Sequence, residues 1–60
     1  LALGEAEEAV NKVKSGQGVV ELSPQSAYIR RLQHLIAERA SLSSKSLGKE
    51  PTRRVTIYKG

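Results

Sequence analysis

The chain has 60 residues, with no cysteine and a single histidine. A chain of this length forms one small domain, and the missing cysteines exclude a disulfide framework and a thiolate metal site. The net charge is +4, but residues 1–22 carry two lysines against four glutamates, whereas residues 23–60 carry eight basic residues against two glutamates. This asymmetry is typical of a polyanion-binding face and equally of a solvated surface of mixed sign, so charge alone leaves both open.

The sequence offers no membrane segment and no signal peptide. No apolar run approaches the roughly 20 residues that span a bilayer, so we expect a cytoplasmic protein that does not contact membranes. The chain begins with leucine rather than methionine. We therefore interpret residues 1–60 as one domain excised from a longer protein.

The hydrophobic pattern predicts the order helix, strand, helix, strand, strand. Apolar residues at spacings of three and four predict a leading helix over residues 2–15, which Gly16 ends. Residues 19–22 predict a short strand. Ser23 and Pro24 have the residue types of a helix N-cap and a first helical position, so a second helix is predicted to run from there to about residue 39.

On a helical wheel, the second helix has two opposed stripes. The apolar stripe contains Ile29, Leu32, Ile36 and Ala40, and the basic stripe contains Arg30, Arg31 and His34. We therefore predict that Arg30 and His34 point away from the core.

The last third of the chain predicts two strands joined by a turn. Residues 43–47 are polar but extended in character, residues 48–51 form a turn, and residues 52–58 alternate regularly, which is typical of a strand. The fold class predicted is α+β, with two helices on one face of a three-stranded sheet and the other face open. The candidate core is aliphatic: Val10, Val13, Val20, Leu22, Ile29, Leu32, Ile36, Leu42, Val55 and Ile57.

Arg30 and His34 are the first constellation that could carry chemistry. Four residues apart on a helix, their side chains project from one face about 6 Å apart. A guanidinium suits phosphate oxygens, and an imidazole can donate a hydrogen bond or stack on a base. The alternative is a solvated histidine beside a surface arginine, with Glu38 one turn later.

The last strand supplies a second group. Arg54 and Tyr58 alternate away from Val55 and Ile57, where an arginine and an aromatic ring can bind a phosphate and stack a base. The alternative is that Tyr58 covers the sheet end while Arg53 and Arg54 keep an edge strand from pairing with another chain. Lys45 and Lys49 could widen this basic rim.

No catalytic, metal or cofactor site is expected. The serines lack an accompanying aspartate, because the chain contains none, and no glycine-rich phosphate loop is present. A single histidine cannot form a metal cluster. We therefore predict that the domain is not an enzyme and needs no cofactor.

Three segments together resemble a known family: Ile29-Arg-Arg-Leu-Gln-His34, Ser44-Lys-Ser-Leu-Gly48 and Glu50-Pro-Thr-Arg-Arg-Val-Thr-Ile57. They are similar to the R-three-H domain, named for an arginine and a histidine separated by three residues. The resemblance spans residues 19–59, and the leading helix fits the family's order of elements. Ser44 departs from the bulkier residue that relatives often carry.

The resemblance implies a module that binds single-stranded DNA or RNA. It assigns Arg30, His34 and Arg54 to the binding surface, and Arg31, Arg53, Lys45 and Tyr58 are expected to assist. Ser46 and Gly48 match a structural turn. The detail of the second helix is similar to copies at the C-terminus of bacterial and plastid AAA-type ATPases, which implies an ATPase domain outside these residues. The sequence leaves open a protein-interaction or regulatory module that docks on an acidic surface.

Overall fold

A computed structural model describes residues 2–60, and the first residue of the predicted 1–60 domain lies outside them. The elements are helix α1 (Ala2–Lys12), strand β1 (Val19–Glu21), helix α2 (Ala27–Arg39), strand β2 (Ser43–Leu47) and strand β3 (Arg54–Tyr58). The α+β class and the order helix, strand, helix, strand, strand are confirmed.

The end of the first helix differs in detail from the prediction. The regular α-helix stops at Lys12, and a π-helical turn over Val13–Gln17 follows it. Gly16 and Gly18 have φ angles of +115° and +83°, in the region that glycine adopts without strain. The predicted stop at the glycines is therefore confirmed, although the α-helix ends before Ser15.

Helix α2 begins later than predicted, because Ser26 rather than Ser23 is its N-cap. The Oγ of Ser26 accepts a hydrogen bond from the Ile29 N–H at 3.4 Å. Ser23 is engaged elsewhere: its N–H and its hydroxyl donate to Oε2 of Glu5, at 3.2 and 2.9 Å. The hydroxyl that the sequence suggested for the cap therefore binds a carboxylate of α1 instead.

The sheet is antiparallel, in the order β1-β3-β2. Strand β3 is therefore central, and the alternative that Arg53 and Arg54 protect an edge strand is wrong. Val55 and Ile57 are fully buried and face the helices. Their register partners on β2 are Ser46 and Ser44, which therefore face the helices as well.

The two helices cover one face of the sheet, as predicted. The buried core combines small residues of α1 and α2 with branched residues of the strands: Ala6, Ala9, Val10, Val13, Leu22, Ala37, Val55 and Ile57. Fully burying one valine or isoleucine side chain stabilises a fold by about 1.5–3 kcal/mol. Of the ten predicted core residues, five belong to this cluster, and Val20, Ile36 and Leu42 are half-buried and pack against it. Ile29 and Leu32 are half-buried but belong to neither set.

Helix α2 is rotated relative to the wheel prediction. Its buried residues are Arg30, Gln33 and Ala37, about a quarter of a turn from the centre of the apolar stripe. The helix packs against α1 and against β2 and β3, and Ile36 lies on the α1 side. The apolar stripe of α2 therefore predicts the side of the helix that faces α1. It does not predict the polar side of the helix, which faces the serines of β2.

Candidate nucleic-acid interface

Arg30 lies in the first turn of α2 and is buried, with 7% of its surface exposed. Its Nη1 donates to the carbonyl of Gln25 at 2.6 Å. Its Nη2 lies 2.9 Å from Oε2 of Glu50, in the turn between β2 and β3. The prediction that Arg30 points away from the core is therefore wrong, because the rotation of α2 turns it toward this hairpin.

His34 lies one turn further along α2 and is half-buried against β2. Its Nδ1 is 2.6 Å from Oγ of Ser44, and its Nε2 is 3.0 Å from Oγ of Ser46. Burial, and secondarily the positive charge of Arg30, lower the pKa of His34 below its usual value. In the neutral imidazole, one ring nitrogen donates a hydrogen bond to the oxygen of one serine. The other ring nitrogen accepts a hydrogen bond from the hydroxyl of the other serine.

The predicted Arg30–His34 pair thus joins α2 to the β2–β3 hairpin. His34 bridges two hydroxyls on β2, and Arg30 reaches the turn that follows it. The alternative of two solvated side chains beside Glu38 is also wrong, since both are engaged. Ser44, the departure noted in the sequence, is itself one of the two partners of the histidine.

Two further arginines hold the same turn. Arg53 Nη1 donates to the Gly48 carbonyl at 2.8 Å, and Arg54 Nη1 donates to the Thr52 carbonyl at 3.2 Å. Gly48 has φ of +87°, and a Cβ built there would lie 2.5 Å from Arg54 Nη1. Glycine at this position therefore permits both the turn and the close approach of the guanidinium.

The sheet face opposite the helices carries the second predicted group. In register, Thr56 lies between Glu21 on β1 and Lys45 on β2, and Arg54 and Tyr58 flank it along β3. Arg54 Nε is 2.7 Å from Oε2 of Glu21. Lys45 Nζ lies over the Tyr58 ring, 5.6 Å from its centroid, at cation–π distance.

The predicted site residues therefore fall into two groups rather than one surface. Lys45, Arg54 and Tyr58 share the open sheet face, which we call the cationic sheet face, whereas Arg30 and His34 lie under the hairpin. Arg31 is exposed beside a groove between α2 and β2. That groove is lined by Arg31, His34, Leu35, Glu38, Leu42 and Ser44.

Sequence reasoning missed the carboxylates that pair with the arginines. Glu50 lies 20 residues from Arg30, and Glu21 lies 33 residues from Arg54, so no local spacing links them. The serines could have been found, because alternation along residues 43–47 places Ser44 and Ser46 on one side.

Within residues 2–60, no helix is both long enough and apolar enough to cross a bilayer. The same part of the chain contains no group of three His, Cys, Asp or Glu side chains that could hold a metal ion.

The fold and its surface define a class: a small α+β module with helices on one sheet face and basic and aromatic side chains on the other. The family model of the R-three-H domain matches residues 3–59, so the chain belongs to that family. Domains of this family are generally nucleic-acid-binding modules. The chain is 40% identical over 58 residues to uncharacterized protein ycf45 of Porphyra purpurea. The match covers 95% of this chain and about a tenth of that protein's length.

Proposed function

We propose that this domain binds single-stranded nucleic acid, DNA or RNA, with the cationic sheet face as its main contact. The observation that carries the proposal is the grouping of Lys45, Arg54 and Tyr58 on a face that neither α1 nor α2 covers. Cations beside an aromatic ring match the two repeating features of a single strand, its phosphates and its unstacked bases.

Each group has a distinct role in this proposal. Tyr58 stacks on a base, an interaction worth roughly 1–3 kcal/mol per base. Lys45 and Arg54 contact phosphates, and Arg31 and Arg53 extend the surface at the edges. A duplex buries its base faces, so the Tyr58 contact favours a single strand.

Arg30 and His34 act as positioning residues in this proposal. Their hydrogen bonds to the hairpin support the placement of β2 and β3, the strands that carry Lys45, Arg54 and Tyr58. Loss of either residue is expected to weaken binding indirectly, through the hairpin.

The direct test is a fluorescence-anisotropy titration of a labelled single-stranded 12-mer, run as DNA and as RNA, at 50 and 200 mM salt. Three to five phosphate contacts predict a logarithmic salt slope of about −2 to −3.5, which is roughly a 20- to 100-fold loss of affinity between the two salts. Lys45→Ala should weaken binding more than the control Lys12→Ala, which removes the same charge from α1. Undetectable binding at 50 mM salt would refute the proposal.

A protein-interaction module is the second candidate, and one observation favours it. Tyr28 and Leu35 are 66% and 46% exposed on α2, an apolar surface that nucleic acid does not require. Such a module would bind an acidic protein partner, and excess oligonucleotide would fail to displace that partner.

We propose further that these residues are not catalytic and that the domain works in the cytoplasm as part of a longer chain. The length of ycf45 beyond the matched segment supports a larger parent protein. An ATPase domain in that parent is part of the proposal, and ATP hydrolysis by the full-length protein would test it.

A further inference from the structure

The carboxylate of Glu21 lies at the β1 edge of the cationic sheet face, beside the central strand β3. Its Oε2 is 2.7 Å from Nε of Arg54, and the two side chains are 53% and 32% exposed. Ion pairs with this degree of exposure contribute little to stability. The carboxylate can therefore leave the guanidinium without unfolding the domain.

The Glu21 carboxylate binds the Nε edge of the Arg54 guanidinium, which is also the edge that binds phosphates. Nε and Nη2 together form a fork that binds two oxygens of one anion through parallel hydrogen bonds. In Arg54, Nε faces the carboxylate while Nη1 donates to the Thr52 carbonyl. A phosphate can use the Nε side of this fork once Glu21 has moved.

A hydroxyl without a partner lies at the centre of the same face. Thr56 is 5% exposed, and among residues 2–60 its Oγ1 has no hydrogen-bond partner. Its neighbours across the strands are Glu21 and Lys45, and its neighbours along β3 are Arg54 and Tyr58. Buried hydroxyls are usually satisfied, so an anion oxygen that reaches this buried hydroxyl once the Glu21 side chain has moved would supply the missing partner.

We propose that Glu21 is a built-in competitor for the nucleic-acid backbone. In the free domain the Glu21 carboxylate pairs with Arg54. When single-stranded nucleic acid binds, a phosphate displaces this carboxylate from Arg54 and lies over Thr56. The inference rests on the proposed function and adds to it a phosphate position and a contact that restrains binding. It explains why a basic face carries an acidic residue next to one of its arginines.

The test compares Glu21→Gln with the control Glu8→Gln, which makes the same change of charge at an exposed position of α1. In the anisotropy titration, Glu21→Gln should bind the 12-mer about two- to five-fold more tightly than the control, the factor that an exposed ion pair is worth. Its salt slope should be steeper by up to about 0.7, because in the wild type the freed Glu21 carboxylate takes up a cation that offsets the counterion released from the phosphate. In an Arg54→Gln background the gain should vanish.

The possible results separate this inference from the proposed function. If the wild type binds but Glu21→Gln matches Glu8→Gln, or if its gain persists without Arg54, the competitor role is refuted and the function stands. If none of the proteins binds at low salt, both fail. Nitrogen-15 NMR of the wild type gives a direct readout, since the Arg54 Nε–H signal should shift when the 12-mer is added, and an unmoved signal would also refute the inference.

Discussion

Replacing Arg30 with alanine should destabilise the domain, although arginines on helices are usually exposed. The change removes a guanidinium whose surroundings are fixed: the Gln25 carbonyl at 2.6 Å and the Glu50 carboxylate at 2.9 Å. It also removes the aliphatic stem of a side chain that is 9% exposed. The Gln25 carbonyl then loses its donor, and the space under the hairpin is left unfilled.

The expected cost follows from these contacts. A hydrogen bond with a charged donor contributes about 1.5–3 kcal/mol. The ion pair adds at most about 1 kcal/mol, because the Glu50 side chain is 62% exposed and water screens it. We expect Arg30→Ala to lower the free energy of unfolding by about 2–4 kcal/mol, which for a small domain lowers Tm by roughly 10–25 °C.

Urea unfolding followed by far-ultraviolet circular dichroism measures this cost. The matched control is Arg31→Ala, which removes the same charge from the next residue, an exposed one, and should change the free energy of unfolding by no more than about 0.5 kcal/mol. Glu50→Gln should cost about 1 kcal/mol or less, which separates the ion pair from the bond to Gln25. If Arg30→Ala and Arg31→Ala had equal stabilities, the stabilising contacts assigned to Arg30 would be wrong.

Two further predictions concern stability. The pKa of His34 in the fold lies below its ordinary value of 6.5, so the unfolded chain binds more protons as the pH falls, and the free energy of unfolding should decrease from pH 7.5 to 5.5. His34→Asn, measured by urea unfolding at both pH values, should show a smaller decrease; an equal one would contradict the assignment. Gly48→Ala should cost about 1–2 kcal/mol, because its φ of +87° strains alanine and the new Cβ meets Arg54. Gly4→Ala, in open space on α1, should instead be neutral or stabilising, and thermal melts of both variants measure the difference.

The fold could be predicted from the sequence because its signals are local. Strand alternation placed Val55 and Ile57 in the core, and glycines marked the end of the first helix. Periodicity failed where one element has two packing partners. Helix α2 contacts both α1 and the sheet, and Arg30 and Gln33 are buried although neither is apolar.

The residues of the candidate site could be predicted from the sequence, but the ion pairs that they form could not. The sequence identified Arg54, Tyr58 and Lys45 as candidates, and the fold brings these three to one face. Whether an arginine side chain is free to bind an anion depends on carboxylates that are distant in sequence. Glu21 lies beside Arg54 only because of the sheet register. Ion pairs across strands therefore have to be read from the register rather than from spacing.

The spacing of Arg30 and His34 has a structural cause in the docking of α2 on the hairpin. The later helix residue meets Ser44 and Ser46, and the earlier one meets Glu50, so the helix and β2 run in opposite directions. Four residues advance about 6 Å along a helix and return to nearly the same face. A spacing one residue longer or shorter would swing one side chain by about 100° and break one of the two connections. The three-residue gap is thus a requirement of holding the hairpin, and in the function proposed above the contact with nucleic acid falls to side chains on the hairpin's other face.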